Sequence, residues 1–180
     1  MRITKENTIG LIIDIQERLV PAMFEKETLL KNCKVLINGL NELGIQLIVT
    51  QQYTKGLGDT AEEIRDIIPD FNYIEKRDFS CCDEPVFTER LKAAKAENII
   101  ICGIESHVCV LQTAVDLKAA GYNPVVVMDC VSSRISESIE IAKERFRFEG
   151  IMMTSYESIL FELTRSAAAP EFKVISKLVK

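Results

Sequence analysis

The chain has 180 residues, 47% hydrophobic and 27% charged, with a net charge of −5, which suits a single domain over residues 1–180 with its own buried core. The acidic balance argues against nucleic acid or an anionic membrane as the main partner. No apolar run approaches the roughly 18 residues of a membrane span, and the amino end lacks the apolar region of a secretion signal, so the six cysteines are expected unpaired in a reducing cytoplasm.

In chain order, the first apolar run is Ile9–Ile13, closed by Asp14. A helix is predicted from about Glu25, with Leu29, Leu30, Cys33, Leu36, Ile37, Leu40 and Leu43 on one face and Gly44 as its stop. The run Ile45–Thr50 follows, and then Thr60-Ala61-Glu62-Glu63, which reads as a capping box for a short helix. Phe71–Ile74 is the third run, with Lys76 just beyond it, and Glu84-Pro85 opens another helix. The fourth run is Ile99–Cys102, followed by a helix over His107–Ala120. Val125–Met128, a helix from Ser136 with Ile139, Ala142 and Phe146 inward, and Ile151–Thr154 complete the series. Runs of Ile and Val without polar alternation indicate strands covered on both faces. Their alternation with helices predicts a three-layer α/β/α, Rossmann-like fold around a parallel six-stranded sheet.

In such sheets the ligand lies outside the carboxyl ends of the strands, where the strand order reverses. Asp14, Lys76 and Cys109 all fall at such ends. Cys109 sits in the first predicted turn of its helix, where free N–H groups and partial positive charge are expected to lower its pKa toward a thiolate. Taken singly, each residue has a plainer reading: Asp14 and Lys76 as solvated charges, and Cys109 as a core thiol, the reading that fits Cys33 and Cys102. Their coincidence on one rim points to nucleophilic catalysis. With no Cys-x-x-Cys pair and a single histidine, His107, no structural metal is expected. No Gly-x-Gly-x-x-Gly follows the first strand, so no dinucleotide cofactor is expected either.

Asp14-Ile15-Gln16 after the first strand, Lys76 after the third, and Gly103-Ile104-Glu105-Ser106-His107-Val108-Cys109-Val110 together resemble the isochorismatase-like cysteine hydrolases, which include nicotinamidases and N-carbamoylsarcosine amidases. The resemblance continues through Asp129–Arg134 and Ser158–Leu163. It implies a catalytic triad of Asp14, Lys76 and Cys109, an oxyanion hole from the backbone N–H groups of Glu105 and Cys109, and a cis peptide between Ile104 and Glu105. It also implies hydrolysis of a small amide or carbamoyl compound through a thioester. Gln16, Leu19, Phe24, Tyr53, Phe79 and His107 are candidates for the substrate pocket.

Nicotinamidases hold a divalent metal through an Asp-x-His motif, and the corresponding stretch here, Gln51–Gly58, has no histidine. The chain therefore resembles the metal-free branch, whose substrates are largely unassigned. Three alternatives stand beside amide hydrolysis. One is vinyl-ether hydrolysis of the isochorismatase type, another a thiol-redox protein using Cys109 with Cys81 or Cys82, and the third a binding protein without catalysis. The resemblance also implies a homo-oligomer, and Pro170–Lys180, with Phe172, Val174, Ile175, Leu178 and Val179, could pack on its own domain or on a neighbour.

Overall fold

A computed structural model describes residues 2–180, with Met1 outside the described residues. Six strands form one sheet in the order β3-β2-β1-β4-β5-β6, all parallel. They are β1 (Thr8–Ile13), β2 (Leu47–Gln52), β3 (Ile74–Lys76), β4 (Asn98–Ile104), β5 (Asn123–Ser132) and β6 (Met152–Thr154). The chain lays β2 and then β3 on one side of β1, returns, and places β4 on the other side. The order reverses between β1 and β4, which opens a crevice at their carboxyl ends.

Successive residues of a strand face opposite layers, and here both faces are apolar. Ile100, Cys102 and Ile104 of β4 join one core, with Leu36, Ile37 and Leu40 of α1 (Lys26–Glu42) and Leu160 of α7 (Tyr156–Thr164). Ile99 and Ile101 face the other, with Phe87 of α4 (Pro85–Ala94), Leu117 of α5 (Leu111–Ala119) and Phe146 of α6 (Ser136–Phe148). At about 25 cal/mol per Å2 of buried apolar surface, these two layers are the main stabilising term. The closing helix α8 (Phe172–Leu178) packs on its own chain: Ile175 is fully buried and Leu178 and Val179 lie against the first core.

Several elements depart from the sequence expectations, each for a local reason. The strands run past their apolar cores into polar residues: β2 includes Gln51 and Gln52, and Lys76 is the last residue of β3, not the one after it. Ladder hydrogen bonds join backbones whatever side chains they carry. Phe71 lies outside β3 and packs on the first core beside Tyr73. The capping box does not form. Ala61 occupies the N-cap of α3 (Glu62–Arg65), and the Thr60 hydroxyl accepts instead from Gln51 Nε2 at 2.9 Å. The helix expected from Glu25 begins at Lys26, with Glu25 as a left-handed cap residue at φ 48°. Ile139 of α6 is only half-buried, while Ala142 and Phe146 are fully inside.

Candidate active site

Three chain segments meet at the crevice. Asp14 follows β1 directly, in the left-handed region at φ 53°, a conformation that Asp tolerates better than most residues. There the chain turns away from the strand, and the carboxylate remains fully buried. Lys76 reaches across from the edge strand β3 and is also buried, at 1% exposure. Its Nζ lies 2.7 Å from Asp14 Oδ2, off the angle of a well-directed hydrogen bond, so the contact is chiefly ionic. The three N–H donors of the ammonium find Gln52 Oε1 at 2.7 Å, Phe79 O at 3.1 Å and Asp78 O at 3.2 Å. Asp14 Oδ1 accepts from Thr50 Oγ1 at 2.8 Å. A buried pair of this kind is viable when hydrogen bonds support it: here all three ammonium protons and Asp14 Oδ1 are met, while Asp14 Oδ2 has no hydrogen-bond partner among the described residues and rests on the charge of Lys76.

Cys109 comes from the segment after β4. Gly103, at φ 128°, ends the straight course of β4, and the Ile104–Glu105 peptide is cis. The next five residues, Ser106–Val110, form a π-helical turn that leads into α5. The turn expected to begin an α-helix is thus wider: Val110 N donates back to Glu105 O at 3.2 Å, an i to i+5 closure. Turns of this type concentrate at functional sites. The Cys109 thiol is buried to 7% exposure and lies within the fields of the Asp14 and Lys76 charges.

That placement overturns the expected thiol pKa. Burial first, and the Asp14 charge second, push Cys109 up to about 12, against the opposing pull of Lys76. Desolvation and a like charge both disfavour the thiolate. Burial draws the Lys76 ammonium down, but Asp14 and the neighbouring thiols Cys81 and Cys109 carry it above its ordinary value. The resting site is therefore a neutral thiol beside a carboxylate–ammonium pair.

The remaining candidates divide. Tyr53, Phe79 and Phe24 are exposed by 38%, 53% and 44%, and the Arg77 guanidinium lies 4.2 Å over the Tyr53 ring. The His107 ring pairs through Nδ1 with Ser133 Oγ at 2.9 Å. Leu19 is half-buried against the first core. Gln16 is fully buried and its amide is engaged by backbone: Nε2 donates to Gln52 O and Gly58 O, and Oε1 accepts from Gln52 N. It braces the loop rather than facing the crevice. Glu105 holds the backbone N–H and Nε of Arg134 through Oε2. Thr50 and Gln52 were not singled out by sequence, although alternate residues at the end of a strand share one face. Ser106 was also missed, and its buried hydroxyl has no hydrogen-bond partner among the described residues.

All six cysteines are free. Cys81 is fully buried with Sγ 3.9 Å from Thr50 Oγ1, while Cys82 is half-buried. Among the described residues no group of His, Cys, Asp and Glu is arranged to hold a metal ion, and no helix is long and apolar enough to cross a membrane.

Comparison with known proteins agrees with this architecture. Residues 8–158 match the family model described as the isochorismatase domain. The secreted isochorismatase effector Isc1 of Phytophthora sojae is 36% identical, over 99% of this chain and 87% of its own. Isochorismatase domain-containing protein 2 of Danio rerio is 32% identical, over 99% and 89%. Among solved structures, the MAR1 ribonuclease of Caenorhabditis elegans superposes with a TM-score of 0.94 at 34% identity, covering 99% of this chain and 92% of that one. The YcaC product of Escherichia coli, described as an octameric hydrolase of unknown specificity, superposes at 0.93 with 22% identity, over 99% and 89%, and shares the fold.

Proposed function

The chain belongs to the isochorismatase-domain family of hydrolases, and on that premise we propose that it is a metal-independent cysteine hydrolase of small amide or carbamoyl compounds. The observation that carries the reading is the buried Asp14–Lys76 pair, 2.7 Å apart, set against the Cys109 thiol at the reversal of the sheet. Neither a thiol-redox protein nor a binding protein needs that pair. Cys81, buried and with its thiol pushed up to about 12, is a poor redox partner.

Burial and the Asp14 charge disfavour a free thiolate at Cys109, so deprotonation accompanies attack. Asp14 takes the proton as Cys109 Sγ bonds to the carbonyl carbon. The backbone N–H groups of Glu105 and Cys109 receive the oxyanion, a contribution worth about 100-fold or more per donor. The C–N bond then breaks, the nitrogen leaves with the proton held by Asp14, and a thioester remains. Water attacks it, giving a proton to Asp14. The C–S bond breaks, and Asp14 returns that proton to sulfur. Lys76 stays protonated throughout, stabilising first the carboxylate and then the transient thiolate.

The active unit is taken as one domain that assembles with copies of itself. On α6, Ile141 and Phe148 are exposed by 68% and 85%, more apolar surface than a solitary outer face needs; sedimentation velocity showing only monomer would refute the assembly. The ribonuclease name of the Caenorhabditis elegans relative is not carried over, because a chain of net charge −5 is poorly suited to a polyanion. The test is intact-mass spectrometry during incubation with a panel of small amides and carbamates. An acyl adduct at Cys109, with turnover abolished in Cys109→Ala, is expected. Unchanged turnover in that variant would overturn the mechanism.

A further inference from the structure

We propose that Gln52 is a positioning residue for the triad: by accepting from Lys76 Nζ it fixes the ammonium between Asp14 and Cys109. This rests on the hydrolase reading above. Lys76 has three N–H donors and three acceptors, and two of these acceptors, the Asp78 and Phe79 carbonyls, lie at 3.2 and 3.1 Å on the loop that Lys76 itself begins. The third, Gln52 Oε1, is the shortest at 2.7 Å. Among the described residues it is the one hydrogen-bond acceptor of Lys76 outside that loop, beside the ionic contact with Asp14 Oδ2. A lysine side chain loses up to about 2 kcal/mol of rotamer freedom when held in one place, and its own loop cannot alone tie it to the strands that carry Asp14.

Gln52 is suited to the task because it is itself immobilised. Its Nε2 donates to Arg77 O at 2.5 Å, and its backbone N–H is held by Gln16 Oε1 at 2.7 Å. Lys76 Nζ and the Arg77 carbonyl fix the amide orientation, since turning it over would set NH2 against the ammonium and oxygen against the Arg77 carbonyl. Register places Gln52 directly beside Lys76 across the β2–β3 ladder, with Thr50, two residues earlier, bonded to Asp14. The strand between the two charges thus supplies a holder for each. A neutral carboxamide matters here. It orients the cation without a second negative charge competing for it, so the full field of Lys76 falls on Asp14 and on the sulfur.

The experiment measures the rate of Cys109 alkylation by iodoacetamide between pH 6.5 and 8.5, read by peptide mass, which needs no substrate. Gln52→Met keeps the length and removes the acceptor; labelling is expected to slow about 3- to 10-fold at every pH, because the thiolate loses part of its counter-charge. Gln52→Glu keeps the shape and adds a charge, and should slow it by about 10-fold or more. Urea melts of each variant confirm a cooperative fold. The decisive comparison is with Lys76→Met. If that change slows labelling and Gln52→Met adds nothing on top of it, Gln52 acts through Lys76, as inferred. Additive effects of the two changes, or Gln52 variants labelling at the parent rate while Lys76→Met slows, overturn the inference and leave the triad intact. Parent-rate labelling in Lys76→Met itself overturns the triad reading instead.

Discussion

Gly103→Ala tests whether the approach of β4 to β1 sets the site. A Cβ on Gly103 would lie 2.0 Å from Ile13 O, 2.7 Å from Ile13 N and 2.8 Å from Ile13 C. Ordinary contact begins near 3.4 Å, and all three atoms are backbone, so the strands must part by more than an ångström at the rung that pairs Ile13 with Gly103. Parting there loses one or two ladder hydrogen bonds at about 1 kcal/mol each. An L residue held at φ 128° adds about 1–3 kcal/mol, for a destabilisation of about 2–5 kcal/mol. The same displacement moves Asp14, one residue past Ile13, and Glu105, two past Gly103. Misplacement of an ångström typically costs about 100-fold in rate. Gly10→Ala is the control, since its Cβ would meet only the side-chain ends of Leu47 and Leu40, at 2.7 and 2.9 Å, and these can yield. Urea denaturation followed by circular dichroism gives the stability, and iodoacetamide labelling of Cys109 reports the site. If the two alanine variants lose stability equally, or Gly103→Ala stays within about 1 kcal/mol of the parent, the close approach is not what the geometry says it is.

Alkali should unfold the chain near pH 10. Cys33, Cys81, Cys102 and Cys130 are essentially buried and hold their protons in the fold well past the ordinary thiol value of 9.0, Cys81 to about 12 and Cys130 to about 11. Above pH 9 the unfolded chain releases these protons and the folded chain does not, so stability falls as pH rises. At pH 10 this amounts to about 1.4 kcal/mol per thiol, or about 5–6 kcal/mol for the four, comparable to the whole stability of many domains. Native circular dichroism with an unchanged urea midpoint at pH 10.5 would contradict it. Asp14→Asn should do opposite things to two assays. Removing the carboxylate leaves Lys76 alone beside the thiol, so Cys109 labelling at pH 8 rises several-fold, while hydrolysis loses its base and falls by about 100-fold or more. Slower labelling in this variant would mean that the sulfur does not feel Asp14 as described.

Much of the architecture is legible in the chain because burial on both faces of a sheet leaves an unmistakable apolar run, as in Ile99–Cys102 within β4, and because one face of Lys26–Glu42 repeats its leucines and isoleucines at helical spacing. Asp14, Lys76 and Cys109 are legible as polar or reactive groups at the ends of such runs. Hydrophobic patterning falls silent where strands become functional. Gln51, Gln52 and Lys76 lie in the ladder yet look like loop, since strand pairing at the crevice is sustained by backbone while the side chains hold polar partners. The upward shift of the Cys109 pKa is not legible in the sequence for a related reason. A helix terminus is visible in sequence, whereas the carboxylate facing the thiol arrives from 95 residues away and dominates it.

β3 is an edge strand with only three rungs, Thr50 to Ile74, Gln51 to Glu75 and Gln52 to Lys76. Native-state opening is easiest at such margins and hardest in central strands such as β1 and β4. Detachment of β3 would withdraw the cation at the cost of one buried side chain, Ile74, from the second core, so competence of the site and integrity of the fold are separate equilibria. Amide exchange at Ile74–Lys76 reports the first, and exchange at Ile9–Ile13 reports the second. A population that looks wholly native by circular dichroism can still contain molecules that are, for the moment, unarmed.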